Sequence, residues 1–467
     1  FVFRSANFLC AQNNWCFLGI FFVCAKHFLI LETFLVVTVT RTISQLLHSS
    51  HFVNVHQSFP GAMTSVFENV QMGPPIEVFA LTKAYNEDSF EKKVNLGVGA
   101  YRTDDGKPWV LPVVRRTETQ IACNEALNHE YQLVTGNEQF TKAAVELLLG
   151  EDSPAIKEKR AFGCQALSGT GALRVGAEFL CRILNRTTFY TSTPTWENHH
   201  KVFTYSGFTQ AKTYRYWDPE IRGINFDGMI ADLEAAPAGS VIVLHACAHN
   251  PTGCDPTQEQ WKKIADVCEA KKLFPFFDSA YQGFASGDPI KDAFAVRYFV
   301  SRGFEMLCSQ SFAKNFGLYS ERIGNITFVF NSPAKVAAVV SQVSLLIRGM
   351  YSNPPAYGAR IVGTILTDAK LRAEWMACIK AMSSRIIAVR KMLYDHLVAL
   401  KTPGTWKHII EQIGMFSYTG LNEEQSMRLV EEFHIYLLRS GRISMCGLNE
   451  KNVEYVAKAI HTVVTSS

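Results

Sequence analysis

The chain has 467 residues, of which 19% are charged and 48% are of hydrophobic types, and its net charge is +4. This length predicts two domains, and the composition is that of a globular rather than a disordered chain. The small net charge, without runs of one sign, gives no electrostatic footprint for nucleic acid. The twelve cysteines include no CxxC pair, which indicates reduced thiols in a reducing compartment.

Residues 1–62 differ in composition from the rest of the chain. They are rich in Phe, Leu and Val, they begin with Phe1, and the first internal methionine is Met63. The apolar run Trp15–Val39 is interrupted by charged side chains, and its longest clean piece is too short to span a bilayer. We therefore expect residues 1–62 to be a non-native or disordered hydrophobic extension, with no membrane partner.

From Met63 onward, short apolar runs alternate with segments of helical period. A helix is expected over 172–184, after a glycine-rich turn, and strands are expected at 241–244, 273–277 and 306–310. A helix between the first two of these strands, over 256–271, completes a βαβ unit. Because the strands are apolar on both faces, they predict a parallel sheet covered by helices.

A long helix is predicted over 371–400, and Pro403-Gly404 ends it. Its apolar positions repeat at helical spacing and comprise Trp375, Ile379, Met382, Ile386, Leu393 and Leu397. The segment 407–467 mixes strands with a last helix over 453–463, which predicts a smaller C-terminal α/β domain. The domain boundary is expected near the long helix.

Polar residues follow the predicted strands, at the sheet edge where α/β proteins bind ligands. Asp278 ends one apolar run and Tyr281 lies three residues on. A buried carboxylate needs a cation, so Asp278 fits either a structural ion pair or a partner for a protonated ring nitrogen. Lys314, between apolar neighbours after the next strand, fits either an ordinary surface lysine or a desolvated nucleophile for a carbonyl group.

Two further segments could bind an anion. Ser168-Gly-Thr-Gly171 precedes a predicted helix, whose N-terminus favours anions, but this motif alone is a weak signal and is more typical of a plain tight turn. Arg322 could clamp a phosphate or lie on the surface. The segment His245–Gly253 suggests zinc, but no fourth ligand with suitable spacing accompanies it, so we interpret it as a turn that presents Asn250. Together, an imine-forming lysine, a carboxylate for a ring nitrogen and a phosphate site describe a pyridoxal-phosphate pocket without a metal.

Longer motifs extend this pattern: Val94–Arg102, Asn128–Tyr131, Pro194–His199, His245–Gly253, Phe276–Gly287, Ser311–Gly317, Tyr351–Pro355 and Ser440–Ile443. On these motifs the chain, from about Ser65 to its C-terminus, resembles the class I aminotransferases. The resemblance implies pyridoxal 5'-phosphate as cofactor, with Lys314 as the Schiff-base lysine and proton shuttle and Asp278 as the partner of the pyridine nitrogen. The other implied cofactor contacts are Ser168, Gly169, Thr170, Ser311 and Arg322 at the phosphate, Tyr281 and Asn250 at the phenolic oxygen, Trp196 on the ring, and Tyr131 from the other subunit.

For the substrate, the resemblance implies that Arg442 binds the α-carboxylate, that Arg348 of the other subunit binds the distal carboxylate, and that Gly99, with Trp196 and Asn250, lines the substrate pocket. Two arginines for two carboxylates favour dicarboxylic amino acids and 2-oxo acids. The implied activity is reversible ping-pong transfer of the amino group of L-aspartate to 2-oxoglutarate, which gives oxaloacetate and L-glutamate.

The implied fold is that of fold type I pyridoxal-phosphate transferases, an α/β fold in a homodimer with shared active sites. The large cofactor domain, with a mostly parallel sheet flanked by helices, is expected over 109–381. The small α/β domain is expected from 76–108 and 382–467, and an arm to the partner subunit from 63–75.

Two departures from the family pattern stand out. The stretch Arg182–Thr193 is shorter by a few residues, and Arg439 stands where proline is expected. Ala313 and Tyr351 look mitochondrial, whereas other positions, including Phe304, look cytosolic, so a cytoplasmic rather than mitochondrial location is expected. Two alternative functions stay open: an aromatic or kynurenine aminotransferase, and a non-catalytic paralogue that acts as a binding protein.

Overall fold

The computed structural model describes residues 65–466, so the predicted extension of residues 1–62 lies outside the described part. The chain divides into a unit that ends at Gly73 and a second unit that begins at Pro74. In the described part of the first unit, the backbone turns over residues 66–69, with Glu68 N donating to Ser65 O at 3.1 Å and Val70 N donating to Phe67 O at 3.0 Å. The predicted arm over residues 63–75 stays a prediction.

The strands of the second unit are β1 (Val94–Asn95), β2 (Ala161–Leu167), β3 (Thr188–Thr193), β4 (Gln210–Arg215), β5 (Trp217–Asp218), β6 (Gly223–Ile224), β7 (Val241–His245), β8 (Phe274–Ser279), β9 (Met306–Ser311), β10 (Ile323–Val329), β11 (Phe416–Tyr418), β12 (Ile435–Tyr436) and β13 (Arg442–Ser444). Its α-helices are Glu77–Glu87, Pro112–Ala122, Glu138–Leu149, Pro154–Lys157, Ser168–Glu178, Asn198–Tyr205, Phe226–Ala235, Gln258–Ala270, Pro289–Asp292, Phe294–Ser301, Val336–Tyr351, Tyr357–Thr367, Ala369–Ala399, His408–Glu411, Glu423–Phe433 and Val453–Thr465.

Seven strands form one central sheet in the order β2-β10-β9-β8-β7-β3-β4. The pairs from β9 through β8, β7 and β3 to β4 are parallel, whereas β10 is antiparallel to both of its neighbours. The sheet is therefore parallel except for one strand. This confirms the predicted α/β class with a mostly parallel sheet.

Each face of this sheet has its own hydrophobic core, because successive side chains of a strand point to opposite faces. In β7, Ile242 and Leu244 belong to one cluster, with Trp261 of the helix that follows. Val241 and Val243 belong to the other. Burial on both sides explains why these strands read as continuous apolar runs rather than as alternating ones.

A third core lies around the long helix Ala369–Ala399. All six apolar positions predicted for this helix are buried in it. The same cluster includes Leu96 near β1 and Ile443 in β13, so the two ends of the second unit share one core. The predicted division into residues 109–381 and residues 76–108 with 382–467 stays a prediction.

One predicted boundary was wrong. Ser168-Gly-Thr-Gly171 does not precede the helix but forms its first turn, since the helix begins at Ser168. The helix also ends earlier than expected, and a π-helical turn over Phe179–Ile183 follows it. The other predicted strands and helices of the sheet occur within one to two residues of their expected ends. Within residues 65–466, no helix combines the length and the apolar character needed to cross a bilayer.

The helix Ser168–Glu178 packs closely on the sheet at Gly176. A Cβ atom at Gly176 would lie 2.5 Å from Phe276 Cζ, inside a buried core that has no room to yield. We expect Gly176→Ala to lower the free energy of unfolding by about 1–3 kcal/mol through overpacking. The matched control is Gly223→Ala, whose Cβ would meet ordinary contacts at 3.6 Å. Urea unfolding of both variants checks this, and equal midpoints would contradict it.

Candidate active site

A cavity of about 300 Å³ lies at the edge of the sheet where β3, β7, β8 and β9 end. This is the edge at which α/β proteins bind ligands. Twelve of the fourteen predicted site residues line it: Gly99, Ser168, Gly169, Thr170, Trp196, Asn250, Asp278, Tyr281, Ser311, Lys314, Arg322 and Arg442. The remaining two, Tyr131 and Arg348, do not line it.

Tyr131 has 85% of its surface exposed, and Arg348 is also exposed. The described cavity thus brings together side chains from chain segments that are far apart in sequence. The roles assigned to them stay predictions.

Asp278, near the end of β8, is the one carboxylate among the residues described as lining the cavity. Its Oδ2 lies 3.0 Å from His199 Nε2, and its Oδ1 accepts a hydrogen bond from Ser309 Oγ at 3.3 Å. Burial raises the pKa of Asp278, but the hydrogen bond and the positive charge of His199 outweigh burial, so this pKa lies below its ordinary value. The carboxylate is therefore held in its charged form.

His199 is in turn oriented by Thr195, whose Oγ1 lies 2.8 Å from His199 Nδ1. Of its two ring nitrogens, Nδ1 faces Thr195 and Nε2 faces Asp278. Thr195, His199 and Asp278 thus form one chain of hydrogen bonds. The ring of His245 lies beside His199, with centroids 5.1 Å apart, and burial lowers the pKa of His245 to about 3, so it stays neutral.

The segment His245–Gly253, which suggested a zinc site, is held in place by hydrogen bonds of His249. Both ring nitrogens of His249 lie 2.8 Å from hydroxyls, those of Ser192 and Thr252. The donor atoms of His199, His245 and Asp278 lie within 4.8 Å of one another, close enough to hold a metal ion. However, His199 and Asp278 already bind each other, which favours an organic cation as the partner of this carboxylate.

Lys314 follows β9, in a turn closed by Gly317 N, which donates to Lys314 O at 3.2 Å. Its Nζ lies 5.2 Å from the centre of the Tyr281 ring. Burial lowers the pKa of Lys314, the charge of Arg322 lowers it further, and Asp278 opposes the shift only in part. More of this amine is therefore neutral, and nucleophilic, than in an exposed lysine.

The anion-binding candidates also meet. Ser168, the first residue of its helix, and Ser311, at the end of β9, place their Oγ atoms 3.0 Å apart. Ser168 N donates to Arg322 O at 3.0 Å, just before β10 begins. A Cβ atom at Gly324 would lie 2.4 Å from the carbonyl carbon of Ser168, so only glycine permits this close approach. Hydroxyls, a helix N-terminus and a guanidinium thus converge as a phosphate site requires.

Arg442, at the start of β13, is almost fully buried. Its Nη2 donates to Gly97 O at 2.8 Å, its Nη1 donates to Asn250 Oδ1 at 3.3 Å, and its guanidinium lies 4.0 Å from the centre of the Phe416 ring. Burial lowers its pKa to about 10, which still leaves it charged at neutral pH. No carboxylate of the described residues forms an ion pair with it, so it can receive one from a ligand.

Tyr131 and Arg348 lie outside the cavity, but their segments are neighbours. Asn353 Nδ2, from the segment after Arg348, donates to Gln132 O at 3.1 Å. Arg348 itself donates to Ser352 Oγ. The two exposed side chains therefore belong to adjoining parts of one surface.

Sequence reasoning gave no role to several residues of this site, among them His199 and Phe416. His199 ended a quoted motif but received no role, although a histidine one helical turn after a threonine is a detectable signal. Phe416, which covers Arg442 and would lie 2.8 Å from a Cβ at Gly99, lies in a short strand whose position the sequence pattern did not reveal. A Cβ atom at Gly99 would therefore require the Phe416 ring to move.

Comparison with known proteins agrees with this geometry. The family described as aminotransferase class I and II matches residues 91–460. The cytoplasmic aspartate aminotransferase of Caenorhabditis elegans is 58% identical over 400 residues, which cover 86% of this chain and 98% of that protein. The corresponding protein of Gallus gallus is 55% identical over 406 residues, with coverages of 86% and 98%.

Solved structures show the same relationship. The aspartate aminotransferase from the cytoplasm of Saccharomyces cerevisiae has a TM-score of 0.83 and 45% identity, and the match covers 86% of this chain and 99% of that one. An aromatic-amino-acid aminotransferase of Burkholderia pseudomallei, covalently bound to pyridoxal phosphate, has a TM-score of 0.83 and 41% identity, with coverages of 86% and 100%. The chain belongs to the class I and II aminotransferases, and the predicted fold and family are confirmed.

The cofactor of this family fits the residues present. The cavity offers a buried carboxylate kept charged by His199, an amine with a lowered pKa, and a separate group of hydroxyls beside Arg322. These correspond to the ring nitrogen, the aldehyde and the phosphate of pyridoxal phosphate. Asp278, Lys314 and the group around Ser168 and Ser311 would hold them.

We predict that replacing His199 weakens cofactor binding in a pH-dependent way. In His199→Leu, Asp278 would lose the two largest contributions that lower its pKa, so burial would raise this pKa above that of the wild type. Because the charged form is the one that binds a ring cation, binding would be lost as pH falls, and at a higher pH than in the wild type. We expect the cofactor dissociation constant to rise about tenfold or more at pH 6, because a hydrogen bond to a charged group is lost. The difference between the variant and the wild type should become smaller towards pH 8.

Equilibrium dialysis with pyridoxal phosphate at both pH values measures this effect. The matched control is His200→Leu, since His200 is the next residue of the same helix and contacts Thr191 rather than Asp278. Equal loss of cofactor in both variants, or a loss that does not depend on pH, would contradict the assignment.

Proposed function

We propose that the protein is an aspartate aminotransferase of the cytoplasm, which transfers the amino group of L-aspartate reversibly to 2-oxoglutarate. The products are oxaloacetate and L-glutamate. Relatives at 51–58% identity that carry this name support the proposal. The observation that carries it is that Lys314, Asp278 and Arg442 line one cavity.

When bound, the cofactor supplies an electron sink for the electrons released as the Cα–H bond of the amino acid breaks. The chain's own part is to position groups and to move a proton. Asp278, kept charged by His199, would hold the ring nitrogen of the cofactor in its positively charged form. Lys314 would bind the aldehyde of the cofactor, and its Nζ, whose pKa is lowered by burial, would take the proton from Cα and return it.

Arg442 supplies the binding charge for the substrate α-carboxylate. It is already desolvated and oriented by Gly97 O and Asn250, so little further ordering is needed when the carboxylate arrives. The cavity-lining residues that are described include three cations and one carboxylate. This excess of positive charge suits a ligand that carries a phosphate and a carboxylate.

A second carboxylate needs a further cation, and for it we propose Arg348 of a partner subunit in a twofold dimer. Lys314 and Arg322 are assigned to the cofactor, and Arg442 is assigned to the α-carboxylate. Arg348 and Tyr131 are exposed on adjoining segments, so one interface could deliver both to the neighbouring cavity. In a twofold dimer, each chain would supply Arg348 and Tyr131 to its partner and would receive the same two residues from it.

Two alternatives make different predictions. An aromatic aminotransferase would prefer phenylalanine or tyrosine to aspartate, and the likeness to the Burkholderia pseudomallei enzyme motivates testing it. A non-catalytic binding protein would lack the reactive lysine or the carboxylate, yet both residues are present in the cavity.

A panel of amino-acid donors with 2-oxoglutarate tests the proposed function. We expect aspartate to give the highest kcat/KM, and borohydride reduction of the holoenzyme to fix the cofactor on Lys314, as located by peptide mass mapping. Arg348→Leu should reduce kcat/KM for aspartate by about two orders of magnitude, because a desolvated carboxylate loses its charged partner, with a far smaller loss for alanine. A higher kcat/KM for aromatic donors, or label on another lysine, would contradict the proposal.

Mixed dimers test the shared site. Lys314→Ala and Arg348→Ala should each be inactive with aspartate, but in a mixed dimer one site has an intact Lys314 from its own chain and an intact Arg348 from its partner. Random pairing makes about half of the dimers mixed, so about a quarter of all sites should be restored. Recovery near this level after co-refolding supports the composite site. Absence of recovery, with mixed dimers shown to form, would assign Arg348 to its own subunit or to no role.

A further inference from the structure

Glu77 joins one wall of the cavity to the turn that precedes Arg442. It is the first residue of the helix Glu77–Glu87, and its neighbour Val78 lines the cavity. Glu77 Oε1 accepts a hydrogen bond from the backbone N–H of Arg439 at 2.8 Å. A carboxylate in the first turn of a helix is also favoured by the helix dipole. The contact thus links an element from one end of the second unit to a loop from the other.

Arg439 lies in a tight turn between β12 and β13. Gly441 N donates to Leu438 O at 2.9 Å, and Leu438 N donates to Arg442 O at 3.3 Å. Gly441 has a φ of +77°, and a Cβ there would lie 2.6 Å from Leu421 O, so the turn has little freedom once formed. Because Arg442 follows directly, fixing the backbone at Arg439 also fixes the start of the strand that carries Arg442.

The bond to Glu77 depends on the residue type at 439. Proline, which the family resemblance predicts at this position, has no N–H and could not donate it. The Arg439 side chain is engaged elsewhere, with Nη1 lying 3.0 Å from Glu423 Oε1. The backbone of Arg439, and not its charge, is therefore what binds Glu77.

We propose that Glu77 is a positioning residue, which clasps the helix Glu77–Glu87 to the turn before Arg442 and so sets the affinity of the cavity for a carboxylate ligand. The proposal rests on the proposed function for the identity of that ligand. The clasp keeps Val78 at the cavity wall and Arg442 at its place, so its loss would weaken binding of amino acid and oxo acid alike. It would leave the proton transfer at Lys314, which Glu77 does not contact, largely unchanged.

Four variants of the cofactor-loaded full chain distinguish the effect of the Glu77–Arg439 hydrogen bond from the effect of the charge of Glu77. Glu77→Ala removes the acceptor, and Glu77→Gln keeps an acceptor oxygen without the charge. Arg439→Ala keeps the backbone donor but removes the pair with Glu423. The control, Glu87→Ala, breaks the exposed pair with Lys83 on the same helix.

Two measurements are made without turnover, so that they do not depend on the proposed function. Hydrogen exchange reports protection of the peptide spanning residues 74–90, and calorimetry gives the dissociation constant of succinate, a dicarboxylate without an amino group. The third measurement is KM and kcat for aspartate. In Glu77→Ala we expect faster exchange, and a rise of roughly two- to tenfold in the succinate dissociation constant and in KM, the range of one lost hydrogen bond. We expect kcat to change less than twofold.

Glu77→Gln, Arg439→Ala and Glu87→Ala should all resemble the wild type. An unchanged dissociation constant in Glu77→Ala would overturn the proposal. The proposal would also be overturned if Glu77→Ala and Glu77→Gln bound succinate more tightly than the wild type by the same factor. That result would mean that Glu77 affects binding only through its charge. If the wild type binds succinate and the variants behave as expected, but aspartate is not a donor, the clasp stands and the proposed function fails.

Discussion

The carboxylate of Asp278 imposes the strongest constraint on this structure, because it lies at the end of a strand whose other residues are almost all apolar and buried. A charge in such a place is costly unless other groups bind it. Here His199 supplies a hydrogen bond, and Thr195 orients His199 in turn. The helix Asn198–Tyr205 must therefore begin close to the end of β8, which fixes how the segment after β3 crosses the sheet. The charge of Asp278 and the packing of the elements around it therefore depend on each other.

The reversal of a single strand completes the cavity. Because β10 runs against its neighbours, Arg322, which precedes it, lies at the edge where β8 and β9 end. The helix Ser168–Glu178 begins at the same edge, after β2. A wholly parallel sheet would place the beginning of the strand, and the arginine with it, at the opposite edge. Negative charge at Asp278 and positive charge at Arg322 can thus face different parts of one ligand.

Much of this site could be predicted from the sequence, since its residues lie in short motifs at the ends of apolar runs. Asp278, Lys314 and Ser311 are of this kind, and the family resemblance gave their roles. The first turn of the helix at Ser168 was misplaced because a glycine pair in SGTG favours a turn on local grounds, whereas packing against Ser311 and Gly324 stabilises a helix. His199 and Phe416 were missed because their importance comes from contacts across the fold. The Glu77–Arg439 bond joins residues so distant that no local pattern could indicate it.

The pairing of β1 with β12 has a consequence for how the chain folds. It joins Val94 to Ile435 and Asn95 to Tyr436, so this small sheet closes a loop that contains most of the chain. Contacts of such large sequence separation form slowly, because the entropy of loop closure opposes them. During synthesis, Val94 would lack its strand partner until residues 435–436 had left the ribosome. The Gly97–Arg442 bond, just beyond this pair, would form no earlier. The central sheet could thus assemble first, and competence to bind a carboxylate would come last.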